Sequence, residues 1–228
     1  VNATLERIPD WHGADASAWV DDIRRRARLV EASAALGRVD GAALPPATGP
    51  LASFGSAPFR KFVLGLLAAD LAVYGSPADM VDVERLAYVV AKHPTGFRLW
   101  TAEDAHGPVP VGYTGFYPIS EASFERLSTG SPPLEDRFLH PVPQAERPFV
   151  YIFNFSIVTN LRRSTGSDGA GQMLRALDGD LGAANPRGLS AITVSPDGVR
   201  VCRRFGLEQG PSFMFEGERE HAQVARRA

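Results

Sequence analysis

The residues that promise chemistry lie together in the run Asn160-Leu161-Arg162-Arg163-Ser164-Thr165-Gly166-Ser167-Asp168-Gly169-Ala170-Gly171. Its glycines permit dihedrals and close approaches closed to other residues, so successive backbone N–H groups can converge on one oxygen-rich group. Arg162 and Arg163 add formal positive charge, and Ser164, Thr165 and Ser167 add hydroxyl donors. The flanks matter as much. Phe149 to Thr159 (FVYIFNFSIVT) is rich in aromatic and β-branched residues, the pattern of a buried central strand. From about Gly171, Met173, Leu174, Leu177 and Leu181 form the apolar stripe of a helix. Strand, glycine-rich loop and helix in that order make an anion site, because the helix start contributes free N–H groups and the positive end of its dipole. Phosphate is the expected anion.

Several common phosphate and hydrolase readings fail on residue type. Gly166 to Gly171 has the opening spacing of a nucleotide-triphosphate loop, but Gln172 and Met173 stand where Lys and Ser/Thr are required. A dinucleotide fingerprint built on Gly169 and Gly171 would need a glycine where Leu174 sits. Thr165-Gly166-Ser167-Asp168-Gly169 misses the serine-hydrolase elbow by one position. The five histidines show no H-x-x-x-H or H-x-E spacing, and one cysteine cannot build a Cys-rich zinc site, so no metal is expected.

Composition narrows the class further. A formal net charge of -2 over 228 residues gives no electrostatic reason to expect nucleic acid as a partner. The basic run Arg24-Arg25-Arg26 with Arg28 follows Asp21 and Asp22 in a helical pattern, and reads as a solvated helix face. A lone Cys202 excludes an internal disulfide framework and fits a reducing cytoplasm. The longest apolar stretch, Phe62 to Tyr74, carries Asp70 and falls short of the ~20 residues a membrane helix needs, so no membrane partner is expected. The N-terminus lacks the basic-then-apolar order of a secretory signal. The expected location is cytoplasmic.

The elements that must hold the loop follow from periodicity. Residues 1–93 read as an N-terminal helical region, with Trp19, Val20, Ile23, Ala27 and Val30 at helical spacing. Helices are also expected from Pro58 to Tyr74 and from Asp79 to Ala91, separated by the glycine- and proline-rich stretch Gly37 to Pro58 and the break Gly75-Ser76-Pro77. Residues 94–217 read as the core. Phe97 to Ala102 and Val109 to Tyr117 predict a hairpin, and 118–148 is a long insertion. Leu189 to Val194 predicts a strand, Asp197 to Arg204 a short helix, and Ser212 to Phe215 a last strand. Residues 218–228 read as a solvated or disordered tail.

With these elements in order, the sequence resembles the GCN5-related N-acetyltransferase (GNAT) family. Val158 followed by Arg163-Ser164-Thr165-Gly166-Ser167-Asp168 matches the family's Arg/Gln-x-x-Gly-x-Gly/Ala except that Asp168 replaces the last small residue. A shifted alignment uses Gly169 and Gly171, with Gly166 in place of the Arg/Gln, and both stay open. Downstream, Ser195 stands at the family's Asn position, and Cys202-Arg203-Arg204-Phe205-Gly206-Leu207 resembles its Tyr-x-x-x-Gly-Phe with Cys202 for Tyr. The resemblance covers roughly Phe97 to Glu216. It implies an α/β (α+β) fold, a mixed, mostly antiparallel sheet flanked by helices with an N-terminal helical extension.

The resemblance also implies a function. The chain would move an acyl group, most simply acetyl, from acetyl-CoA or another acyl-CoA to an amine by direct attack. The acceptor would be a small-molecule, peptide or protein amine. Coenzyme A would be bound by Val158 through its backbone and by Arg163, Ser164, Thr165, Gly166, Ser167, Gly169 and Gly171. Cys202 would take the place of the acid and Ser195 that of the family Asn, while a base could come from Glu103, Glu121 or His140. Cys202 could alternatively be an acylated nucleophile or a small buried hydrophobe. The N-terminal helices and the insertion would shape an acceptor pocket, a homodimer contact or both. The alternative is a non-catalytic protein of this fold that binds acyl-CoA or a partner protein.

Overall fold

In the computed structural model, residues 3–10, 15–44, 56–75, 83–131, 139–162, 169–215 and 218–227 are described. The chain forms two compact units: 1–114 with 155–175, and 115–154 with 176–228. The strands follow the sheet order β1-β2-β3-β4-β5-β7-β6. They are β1 (Leu36–Asp40), β2 (Phe97–Asp104), β3 (Gly107–Ile119), β4 (Phe149–Ile157), β5 (Gly188–Ile192), β6 (Glu208–Phe215) and β7 (Glu218–Arg226). Helices flank this sheet. The architecture is the mixed, mostly antiparallel α/β one that the resemblance implied.

In the first unit, α1 (Ala3–Glu6), α2 (Ala16–Ala27), α3 (Ala57–Tyr74) and α4 (Val83–Lys92) precede the β2–β3 hairpin. The core of α3 holds Phe59, Phe62, Val63, Leu64 and Leu66, all buried. Each such side chain contributes ~1.5–3 kcal/mol when fully buried. The helix stops at Gly75, whose φ of 86° is open to glycine and whose N–H donates to the Leu71 carbonyl at 3.1 Å. In α2, Val20, Ile23 and Ala27 face inward. The basic run beside them is not merely solvated. Arg26 reaches Asp104 at 2.7 Å and Asp22 at 3.2 Å, and the Arg24 guanidinium donates to the Gly75 carbonyl. The hydrogen bond from Arg26 holds the Asp104 carboxyl below the usual carboxylate range.

Within this unit the backbones of β3 and β4 come unusually close. A Cβ on Gly112 would lie 2.2 Å from the Ser156 carbonyl oxygen and 2.9 Å from the Ile157 Cα. The neighbouring Val158 N–H donates to the Val111 carbonyl at 2.9 Å. The stretch Gly37 to Pro58 is expected as a loop or linker, but its first residues lie in an antiparallel edge strand, Leu36–Asp40, running from Leu36↔Ala102 to Asp40↔Arg98. Its Gly and charged residues hide it from propensity. Pairing to β2 and the ion pair of Asp40 with Arg98 define it.

The second unit holds α5 (Glu121–Ser128), most of α7 (Gly169–Ala184), α8 (Pro196–Arg204) and the strands β5 to β7. The expected insertion begins with order. Ser120 caps α5 by accepting the Ser123 N–H at 3.1 Å, and Tyr117 donates its hydroxyl to the Leu139 carbonyl at 2.6 Å. Residues 132–138 lie outside the described residues. The expected tail is corrected: Glu218–Arg226 is a strand lying between β5 and β6. It pairs with β5 from Gly188↔Arg226 to Ile192↔Ala222, and Ala222 and Gln223 are fully buried. Its charged and alanine-rich sequence has little intrinsic strand preference, and two flanking partners override that.

The β3–β4 approach yields a stability test. Gly112→Ala should cost about 3 kcal/mol, since backbone rather than a flexible side chain stands in the way. In contrast, a Cβ on Gly179 meets nothing within 4 Å, so Gly179→Ala in the interior of α7 should gain up to about 1 kcal/mol. Urea unfolding of both variants measures the contrast. A neutral Gly112→Ala would contradict the close approach.

Candidate functional site

Strand β4, which leads into the glycine-rich segment, pairs in parallel with β5. Its ladder runs Phe149↔Gly188, Val150↔Leu189, Tyr151↔Ser190 and Ile152↔Ala191, and ends there. Beyond it β4 continues to Ile157, whereas β5 stays with β7 through Ile192↔Ala222 and the Thr193 N–H bond to the His221 carbonyl at 3.0 Å. The two parallel strands thus part company after their fourth pair. The beginning of the pair is packed tightly. Phe124 stacks on Phe149 at 4.5 Å, and a Cβ on Gly188 would meet both rings within 2.9 Å.

At the C-terminal end of β5 the chain turns into α8. Ser195 is its N-cap, its hydroxyl accepting the Gly198 N–H at 3.1 Å. The side chain placed at the family Asn position therefore has a structural job. Two α8 turns on, Cys202 is buried, and burial pushes its thiol up to about 12. A thiol held so high stays protonated at neutral pH and is neither a ready nucleophile nor an acid matched to a thiolate of pKa near ~8.5. The environment is that of a small buried hydrophobe. Glu121, exposed in the first turn of α5, lies 3.7 Å from Arg187 in an exposed ion pair. Such exposed pairs are worth little.

In the first unit, Val158 follows the last residue of β4. Its backbone N–H, the donor expected to meet a ligand, is already engaged by Val111. Its carbonyl accepts the Leu161 N–H at 3.1 Å, opening the one-turn helix α6 (Thr159–Arg162). Asn160 fastens this turn by donating to the carbonyls of Arg28 and Val30, the latter at 3.1 Å. Arg163, Ser164, Thr165, Gly166 and Ser167 lie outside the described residues. Gly169 and Gly171 occupy the first turn of α7, two residues earlier than periodicity suggested, and a Cβ on Gly169 would find only ordinary contacts with Leu36 and Leu161. Glu103 is exposed and His140 half-buried. Among the described residues, no group of three or more His, Cys, Asp and Glu side chains is placed to hold a metal.

One ionisable group escaped the sequence reading as a chemical feature. Asp70 sits in α3 with 3% of its surface exposed. It accepts hydrogen bonds from the Tyr113 hydroxyl at 2.9 Å and the Ser156 hydroxyl at 3.3 Å. Burial pushes its carboxyl up to about 7, against the opposing pull of the two hydroxyls. A single carboxylate in an otherwise apolar helix was the visible signal. Its partners stand 43 and 86 residues away and gave none.

Known proteins were compared with this chain at the level of sequence and of fold. No protein-family model and no curated protein matches the sequence. Solved structures do resemble the fold. A putative GNAT-family acetyltransferase from Desulfovibrio desulfuricans gives a TM-score of 0.48 at 13% identity, over 85% of this chain and 100% of that one. Ard1 from Thermoplasma volcanium gives 0.44 at 9% identity, over 73% and 93%. The NatC complex bound to Gag peptide and CoA gives 0.45 at 11%, over 66% and 85%.

Asp70 provides a pH test. Its folded pKa lies above the unfolded value near ~3.9, so the folded state binds more protons between the two. Its contribution to stability is therefore greatest in acid and falls as pH rises from about 4 to about 7, by up to ~1.4 kcal/mol per pH unit. Asp70→Asn should flatten that slope and raise the urea midpoint at pH 8 relative to the parent. Equal pH slopes in both proteins would show that Asp70 is not buried with its proton.

Proposed function

We propose that this protein is an acyl-CoA-dependent N-acyltransferase, transferring an acyl group, acetyl in the simplest case, to an amine. The observation that carries the reading is the parting of β4 from β5 after Ile152↔Ala191. Parallel neighbours normally satisfy one another along their shared length. A ligand with amides of its own would find β5 without its parallel neighbour beyond Ala191. The glycine-rich segment before α7, with Gly169 and Gly171 in the helix's first turn, would take the phosphates. Arg163, Ser164, Thr165, Gly166 and Ser167 are the proposed further contacts.

Coenzyme A supplies the activated thioester. The chain's own part is to bind it, to exclude the wrong acceptor and to hold the amine. With Val158's N–H engaged in the sheet and Cys202 held protonated, acid–base work falls to groups reached from solvent. The buried, high-pKa thiol also favours the second reading, a protein that binds acyl-CoA without turning it over.

Calorimetric titration with acetyl-CoA decides whether the ligand binds, beside an Ala170→Glu variant in the first turn of α7. Glutamate suits a helix start, so the fold should survive while phosphates are repelled. Saturable binding weakened at least tenfold in the variant is expected. Silence with acetyl-CoA, free coenzyme A and longer acyl forms would overturn the proposal. Binding without thiol release in the presence of amines would support the non-catalytic reading.

A further inference from the structure

Immediately beyond the end of β5 the second unit holds an open cleft of about 790 Å3, a volume suited to a small molecule. Arg200 and Arg203 project into it three residues apart on α8. Arg200 is engaged by Asp197, whereas Arg203 has no ion-pair partner among the described residues. No Asp or Glu lines the cleft among those residues.

The opposite wall is equally specific. Gln223 is fully buried, and its amide donates to Thr193 Oγ1 at 3.4 Å, but its Oε1 has no hydrogen-bond partner among the described residues. An acceptor buried without a donor is costly, and none of the described residues supplies one. Gln209 is brought opposite Gln223 just before a one-residue bulge: from Gln209↔Gln223 to Ser212↔His221, β6 advances three residues and β7 two. Bulges re-aim side chains and recur beside functional sites. Val194, 70% exposed, forms an apolar lip.

These groups call for a ligand with an anion for Arg203, a hydrogen-bond donor for Gln223 and a modest apolar part. A simple amine meets two arginines and no free carboxylate, and is repelled. An anion without a hydrogen-bond donor, such as sulfate, meets the arginines but leaves the Gln223 oxygen unmatched. We propose that this cleft binds a free amino carboxylic acid, its carboxylate on Arg203 and its amine toward Gln223, and that this acid is the acyl acceptor. The second half rests on the acyltransferase reading; the binding site does not. In the transfer, the amine nitrogen bonds to the acyl carbon as the carbon–sulfur bond breaks. The ammonium proton passes to solvent and the thiolate takes one back, leaving an N-acyl amino acid and coenzyme A.

The test uses the full chain and the twenty free amino acids, each beside its carboxamide, by calorimetry. At least one amino acid should bind saturably, with its carboxamide at least tenfold weaker. Arg203→Gln, on an exposed side chain, should weaken that amino acid at least tenfold while changing acetyl-CoA affinity less than twofold. A protein that binds acetyl-CoA but none of the amino acids overturns the proposal. So does Arg203→Gln weakening acetyl-CoA alone, which would assign the arginine to phosphate. Amino-acid binding with no acyl-CoA binding would uphold the site and overturn the transfer reading instead.

Discussion

Strand β5 has two neighbours, and beyond Ala191 it keeps only one of them. The antiparallel bond to β7 continues through Thr193, whereas the parallel ladder to β4 stops. Antiparallel pairing is slightly the stronger per residue, and twist accumulates along a sheet, so a strand pulled between two partners yields on the parallel side. From this choice follow the direction of Thr193 to Pro196, the entry into α8 and the cleft that opens there. β7 is thus not an appendage. It pairs with β5 to that strand's last residue, Ile192↔Ala222, where the chain leads on to α8.

The polar groups divide by what satisfies them. Ser195 spends its hydroxyl on a helix cap, Glu121 its carboxylate on an exposed ion pair, and Val158 its N–H on β3. Cys202 is withdrawn from acid–base work by burial. Asp70 is sealed among Tyr113 and Ser156, joining α3, β3 and β4 through one carboxyl. By contrast, Arg203 and the Gln223 oxygen end at the cleft with no such partner among the described residues. Chemistry is better sought where donors and acceptors remain to be matched than where the protein has already matched them.

Legibility in the sequence followed the same physics. β4, β5, α7 and α8 could be read because continuous apolar runs and helical stripes encode them locally. β1 and β7 could not, since LGRVD and EREHAQVAR gain their strand character from neighbours distant in sequence. Asp70 was visible as the single carboxylate of an apolar helix, but the hydroxyls that hold it arrive only with the sheet. Cys202 could be read either as chemistry or as packing, and burial decides for packing. The cleft escaped entirely, because its residues come from a strand end, a helix face and two strands that meet only after folding.

The central claim is that the chain binds an acyl thioester. Amide hydrogen exchange of the full chain, with and without saturating acetyl-CoA, tests it most directly. The account predicts added protection at Ile192 to Ser195 and in the first turn of α7, with the Phe149 to Ile152 ladder unchanged. Protection confined to other segments, or none at a concentration where binding is saturated, would contradict it.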